Sequence, residues 1–347
     1  MVIMTVLEGV LTIIVYGSGA IGSTVGTCSF LSGEDVIFVD RVTEHVDHIN
    51  KRGLLIRDLK GKDVRINPRA VEPHELEEEL GLVFLCVKSQ DTRQAMETMF
   101  PNIGPESIVV SLQNGLNEEV ISEYIGCKNT IGCLVDWGGA YIAPGEIQYS
   151  GDAPMRIGTL DGSITDSLMQ IRTILNNTNE TTITPNITGY LWSKIIWGNF
   201  YVSNALGTST SVSMLENYRN RPILLAMFRE STRVAQAASV KLEPLIEHNF
   251  DPVALSSMNT EQALKEFVFM ADSFRQSKTT HSGPWRDIAV RKRPTEVDYI
   301  IGHIVKKGME HNVPTPLNSR LVELVKEVER GERNQHDGNL LQLEALL

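Results

Sequence analysis

At 347 residues the chain has room for two domains, each with its own core. Its formal net charge of −11 and pI of about 5.3 disfavour nucleic acid or an anionic membrane surface as the main partner, while a small anionic ligand needs only a few convergent cations. The four cysteines Cys28, Cys86, Cys127 and Cys133 form no CxxC pair, and no His, Cys, Asp and Glu cluster has metal-ligand spacing. The expectation is therefore reduced thiols in a cytoplasmic protein with no metal.

The apolar N-terminus, MVIMTVLEGVLTIIVY, lacks a basic n-region and is interrupted by Glu8. It reads as the approach to a first strand at Val10 to Tyr16, not as a signal peptide. No run approaches the length of a membrane span. The strand enters Gly17-Ser18-Gly19-Ala20-Ile21-Gly22, a helical segment follows to about Leu31, and a second apolar run, Val36 to Val39, ends at Asp40. Strand, glycine turn, helix, strand and terminal acid together make a dinucleotide-binding βαβ unit. In such a unit Gly17 permits the tight turn, Gly19 lets backbone approach a diphosphate, and Gly22 lets helix and strand pack closely. The opening of the helix offers N–H groups and partial positive charge. Asp40, 18 residues after Gly22, stands where a carboxylate meets a ribose 2′-hydroxyl.

Further along, Thr43 to Ile49 suits an exposed helix. Leu54 to Arg57 and Asp63 to Ile66 suggest a hairpin, and Glu72 to Leu80 a short acidic helix. Leu82 to Val87 is a continuous apolar run of the kind buried on both faces, ending in Lys88-Ser89-Gln90; Ser107 to Leu112 is another, ending in Gln113-Asn114-Gly115. A helix is expected over Asp91 to Phe100 and strands over Thr130 to Leu134 and Thr181 to Thr184. Hairpins are expected between Trp137 and Ile157, and a helix over Ser163 to Asn176. Polar groups thus gather past the carboxyl ends of successive strands, the edge where open α/β sheets bind ligands.

Pro185-Asn186 marks the expected boundary between a dinucleotide-binding domain, residues 1–185, and a helical domain, residues 186–347. Helices are predicted over Gly189 to Leu206, Arg221 to Ser239, Asn259 to Ser273, Thr295 to His311 and Pro316 to Arg330. The leucine-rich tail from Leu340 docks either on the body or on a neighbour. Lys194 lies between tryptophans and isoleucines, where desolvation would lower its pKa; snorkelling to water is the alternative.

The ordered set GSGAIG, LCVKS, SLQNG, LWSK, RPTEVDYIIGHI and VPTPLN resembles the ketopantoate reductase (2-dehydropantoate 2-reductase) family over about Leu11 to Arg330. The resemblance implies an α/β fold: an N-terminal Rossmann-type, doubly wound domain and an all-helical C-terminal domain of the 6-phosphogluconate dehydrogenase type. It implies an active site in the cleft between them, with NADPH as hydride donor. By position, Lys194 matches the family's catalytic lysine and Glu296 the glutamate beside the substrate. Asn114 matches the asparagine near nicotinamide and substrate. Lys88 matches the lysine near the adenosine phosphate, Arg41 is near the family's phosphate-binding arginine, and Ser282 is close to a substrate serine. The cofactor set is completed by Gly17, Ser18, Gly19, Ala20, Ile21, Gly22, Asp40 and Gln113.

One departure concerns the helix carrying Lys194. The best-known members place asparagines four and eight residues after the lysine, on its own face. Here those positions are Gly198 and Val202. The asparagines present are Asn199, the substrate-binding candidate, and Asn204; an ideal helix swings them about 140° one way and about 80° the other.

The implied activity is reduction of a small anionic 2-keto acid, 2-dehydropantoate first among them, with Lys194 as general acid. A related hydroxy-acid dehydrogenase and a catalytically silent dinucleotide-binding regulator are the alternatives. Arg41 and Lys88 outweigh Asp40 in favour of NADP, with NAD as the other choice. The helical domain offers surfaces for a homodimer.

Overall fold

The computed structural model describes residues 12–275 and 280–347, so the expected start of the first strand at Val10 and Leu11 lies outside the described residues. The chain divides into two compact units, Met1–Ile187 and Thr188–Leu347.

The first unit runs β1 (Ile13–Tyr16), α1 (Ala20–Leu31), β2 (Val36–Val39), α2 (Thr43–Arg52), β3 (Leu54–Leu59), β4 (Lys62–Ile66) and β5 (Arg69–Val71). It continues through β6 (Leu80–Leu85), α3 (Thr92–Met99), β7 (Ile103–Ser111), α4 (Glu118–Ile125) and β8 (Thr130–Val135). Last come β9 (Gly138–Ala143), β10 (Glu146–Ser150), β11 (Met155–Thr159), α5 (Asp166–Leu175) and β12 (Thr181–Ile183). Among the described residues the main sheet has the order β12-β11-β8-β7-β6-β1-β2-β5 and is parallel except at β8–β11. The strand order reverses direction between β1 and β6, the switch point where doubly wound sheets take their ligands. Ile13 and Val15 enter one core, with Phe38 and Phe84; Ile14 and Tyr16 enter the other, with Val83 and Met96. Burial on both faces explains why these strands read as unbroken apolar runs rather than alternating ones.

A second sheet, β4-β3-β10-β9, joins two hairpins through the parallel pair β3–β10. Helix α1 packs against the main sheet on one side and this small sheet on the other, and Gly22 through Ser29 are all buried. Two of its hydroxyls turn back onto the helix: Thr24 donates to the Ala20 carbonyl at 2.8 Å and Ser29 to the Val25 carbonyl at 3.0 Å. Gly26 has no alternative there, since a Cβ would lie 2.5 Å from the Phe38 ring.

The second unit is helical: α6 (Ile187–Asn204, begun by the last residue of the first unit), α7 (Ser211–Glu216), α8 (Asn220–Ala237), α9 (Pro252–Ser257), α10 (Thr260–Arg275), α11 (Gly283–Ala289), α12 (Val297–Glu310) and α13 (Pro316–Glu329). Trp197, fully buried, anchors its core with ring centroids 4.9 Å from Phe250, 5.0 Å from Phe200 and 5.9 Å from Phe228. None of the described helices is long and apolar enough to cross a membrane.

Two features go beyond or against the sequence reading, and a third decides between alternatives it left open. The acidic helix at Glu72 to Leu80 is only a 3₁₀ turn, Pro73–Glu75. Leu80 is already committed to β6, and Glu78 pairs with Arg69 on β5. Short helices α7, α9 and α11 lie in segments between the predicted helices to which no element was assigned; each is capped by a side chain, Thr210, Asp251 and Ser282 respectively. The tail docks on its own unit: Leu340 and Leu343 are buried, Asp337 accepts from the N–H groups of Thr208 and Ser209, and Arg219 pairs with Glu344.

Candidate active site

In the first unit the glycine turn is built as its sequence requires. Gly17 has φ +97° and lies so close to the end of β6 that a Cβ would be 2.8 Å from the Val87 nitrogen. A Cβ on Gly22 would be 2.2 Å from the Gly17 carbonyl oxygen. At Gly19, by contrast, a Cβ would meet nothing within 4 Å. Gly19 is also the N-cap of α1, with no capping side chain and no acidic residue in the first turn. The two tight glycines fold the corner, and the open one leaves it accessible. An uncapped, acid-free helix start with room in front of it fits a diphosphate. Gly19, Ala20 and Ile21 are half-buried, and Ser18 is buried beneath them.

Asp40, at the carboxyl end of β2, is held on both oxygens. It accepts from the Ser18 hydroxyl at 3.1 Å and from the Val42 N–H at 3.0 Å. Arg41 turns to Asp91 at 3.0 Å, leaving its side chain 69% exposed. Lys88 caps the 3₁₀ turn Ser89–Asp91 beyond β6 and is half-buried. The cations expected at the phosphate therefore share this edge with two carboxylates, Asp40 and Asp91.

The turn after β7 is fixed by a buried polar network. Gln113 donates to the Val87 carbonyl at 2.9 Å and to the Thr92 hydroxyl at 2.7 Å. Thr92 donates to Asn117 at 3.2 Å, and Asn117 donates in turn to the Asn114 carbonyl at 2.6 Å; Ser89 donates to the same carbonyl at 2.7 Å. The backbone of Asn114 is thus clamped while its side chain is exposed. Gln113 spends its amide on the loop behind. Ser89, Thr92 and Asn117 have no sequence signal beyond their place after strands.

In the second unit α6 carries Lys194. Of residues 191–200, all described, Lys194 is the one not buried. A lysine centred on a stretch of Trp192, Ile195, Ile196 and Trp197 is presented by that helix rather than packed into it. One turn further, Gly198 lets α12 approach: a Cβ there would sit 2.6 Å from the Ile300 Cγ2. Glu296 is the N-cap of α12 and 7% exposed, its carbonyl accepting from the Tyr299 and Ile300 N–H groups. Thr295 before it is tied to Glu329 through its N–H at 2.7 Å and its hydroxyl at 2.6 Å, which fixes the entry to α12.

Two candidates are held by partners within their own unit. Asn199 is fully buried and donates to the Ile196 carbonyl at 3.1 Å and to Ser231 of α8 at 2.9 Å. Five residues from Lys194, it points into the bundle as the helical angle predicts, and the structure does not bring the two together. The Ser282 hydroxyl donates to the Tyr201 carbonyl at 2.8 Å and accepts from the Trp285 N–H at 3.2 Å, while its own N–H donates to Asn204. It joins α11 to the end of α6. No group of three or more His, Cys, Asp or Glu side chains placed to hold a metal occurs among the described residues.

Residues 13–162 match the family described as ketopantoate reductase PanE/ApbA, and residues 186–329 match the ketopantoate reductase PanE/ApbA C-terminal family. The chain is 31% identical over 316 residues to a 2-dehydropantoate 2-reductase from Pyrococcus abyssi, covering 90% of this chain and 96% of that one. Among solved structures it is similar to a PanE/ApbA family ketopantoate reductase from Ralstonia eutropha, with TM-score 0.77 and 25% identity over 93% of this chain and 99% of that one. It shares its fold with a D-mandelate dehydrogenase solved with NADH and anilino(oxo)acetate, with TM-score 0.79 and 22% identity over 92% and 99% of the two chains.

Proposed function

The chain belongs to the ketopantoate reductase family, and from that premise we propose that it reduces a small 2-keto acid with NADPH, 2-dehydropantoate first among candidates, with Lys194 as general acid. The nicotinamide supplies the hydride when bound. As hydride reaches the keto carbon, negative charge develops on its oxygen; the Lys194 ammonium stabilises that charge and delivers the proton. Glu296, nearly buried at the start of α12, orients the lysine or accepts from a substrate hydroxyl. Asn114, its backbone clamped, offers its amide to the carboxamide or the substrate oxygen. Arg41 and Lys88 receive the 2′-phosphate, while Asp40 stays engaged with Ser18.

The observation that carries this reading is the presentation of Lys194 from a helix whose neighbouring residues are all buried. It is tested with purified protein and a panel of 2-keto acids, following NADPH absorbance. Oxidation with 2-dehydropantoate supports the full reading, and oxidation with another keto acid supports the activity with a different substrate. Binding of NADPH without turnover on any member of the panel rejects it. A second reading, a hydroxy-acid dehydrogenase with a less polar substrate, is favoured by one feature: the position one turn beyond Lys194 is Gly198 walled by Ile300, with no hydrogen-bonding side chain there.

A further inference from the structure

Helix α2 follows the second strand, and its pattern reads as an exposed helix. His45, three residues in, is nevertheless fully buried. Both ring nitrogens are engaged. The Gly145 N–H, in the turn between β9 and β10, reaches Nδ1 at 2.9 Å, and Nε2 lies 2.9 Å from the Ser18 carbonyl oxygen. A backbone N–H can only donate, so Nδ1 is the acceptor. The proton of the neutral ring then sits on Nε2 and is donated to Ser18. Only one tautomer satisfies both neighbours.

The carbonyl it holds belongs to the glycine turn. Ser18 oxygen also accepts from the Ser23 hydroxyl at 2.6 Å, so two buried donors draw it inward. In a trans peptide the C=O and the following N–H point in opposite directions. Drawing the Ser18 carbonyl inward therefore turns the Gly19 N–H the opposite way, at a residue whose Cβ position is open, so that no side chain crowds the turn there. That N–H is the one the turn offers first to a diphosphate.

We propose that His45 is a positioning residue of the diphosphate site: acting through the Ser18 carbonyl, it sets the direction of the Gly19 N–H. This rests on the reading of the turn as a dinucleotide site given above. The ring also ties the turn to the small sheet, because its other partner, Gly145, accepts from the Leu55 N–H of β3 at 2.8 Å. The groups facing it are Asp40 from the end of β2, Tyr141 of β9 with ring centroids 5.1 Å apart, and His48 on its own helix. Burial and His48 hold the imidazole neutral against the pull of Asp40.

Two substitutions separate the two links. His45→Asn keeps an acceptor near the Nδ1 position for Gly145 and removes the donor to Ser18. His45→Gln places an amide N–H near the Nε2 position and keeps that donor. The measurement is calorimetric titration of each full-length protein with NADPH and with NADH, without keto acid, beside its thermal unfolding curve. The proposal predicts a dissociation constant raised tenfold or more in His45→Asn and kept within about threefold of the parent in His45→Gln. Ser23→Ala, which removes the second donor to the same carbonyl from within α1, weakens binding in the same sense and provides the test should the asparagine variant unfold. Equal weakening in His45→Asn and His45→Gln marks a packing role and overturns the proposal, as does parental affinity in both His45→Asn and Ser23→Ala. A parent protein that binds neither dinucleotide removes the reading of the turn, and the proposal with it.

Discussion

Gly198 of α6 and Ile300 of α12 meet so closely that a Cβ on the glycine would lie 2.6 Å from the Ile300 Cγ2. Ile300 is four residues after Glu296, and Gly198 four after Lys194, so this contact ties together the two helices that carry the candidate catalytic pair. In an exposed helix interior, Gly→Ala gains about 1 kcal/mol from propensity. Here the sign reverses: Gly198→Ala should lose about 1–3 kcal/mol through overpacking, read from urea unfolding. Gly198→Ala combined with Ile300→Val, which leaves the Cγ2 position but shortens the neighbour, should recover only part of the loss; Ile300→Ala should recover more. A stabilised Gly198→Ala protein contradicts the packing described.

Arg41 and Asp91 form an exposed pair at the sheet edge. Such a pair contributes about 0–1 kcal/mol to stability, so Arg41→Ala should leave the unfolding midpoint nearly unchanged. Its effect should appear in the cofactor instead. The kcat/KM for NADPH is expected to fall about tenfold while that for NADH changes little, because only the former carries a 2′-phosphate. Asp91→Asn, which leaves the guanidinium without its carboxylate, should move the ratio the other way. Equal effects on the two dinucleotides place Arg41 outside the phosphate site.

His45 gives a pH dependence whose sign is fixed by burial. Its folded pKa is lowered from 6.5, chiefly by desolvation, with Asp40 acting in the opposite direction. The unfolded state then binds the proton more readily, so stability falls as pH drops below about 6.5 toward the lower folded value, and is complete above it. His45→Gln removes this proton site. The stability difference between parent and variant, measured by chemical unfolding at a series of pH values, should therefore narrow as pH falls from 7 toward 5. A gap that widens over that range contradicts a neutral, buried ring.

The inner network of the second unit predicts a stability effect without a catalytic one. Asn199 reaches Ser231, and beyond it Asn318 donates to Glu230 at 2.7 Å with Glu230 2% exposed. Ser231→Ala leaves the buried Asn199 amide short of an acceptor and should cost about 1–3 kcal/mol. Its KM for keto acid should stay at the parental value, because Asn199 faces the bundle. A selective rise in KM restores Asn199 to the substrate.

What the sequence discloses and what it hides follow physical lines. The βαβ unit was legible because glycine spacing, strand runs and a terminal acid are all local signals, and the structure places Gly17 and Gly22 in contacts only glycine tolerates. Asn199 carried no sign of its direction beyond a helical angle, and that angle was informative: the side chain turns away from Lys194. His45 was invisible. Its partners, Ser18 and Gly145, are 27 and 100 residues distant, and only the stacking of α2 between turn and small sheet brings them together. Helices α7, α9 and α11 are six or seven residues long, too short for a periodic pattern, and stand on caps and tertiary packing. The tail's choice of its own unit depends on Asp337 meeting backbone N–H groups about 130 residues earlier, which no local pattern encodes.

The central claim is that the Lys194 amine gives the proton that completes reduction. It is tested most directly by mixing saturating NADPH with the best keto acid of the panel and comparing the parent with Lys194→Ala for both NADPH affinity and turnover. The account predicts NADPH affinity within about threefold of the parent and turnover lower by roughly 10²–10⁴-fold. A Lys194→Ala protein that turns over at the parental rate contradicts it.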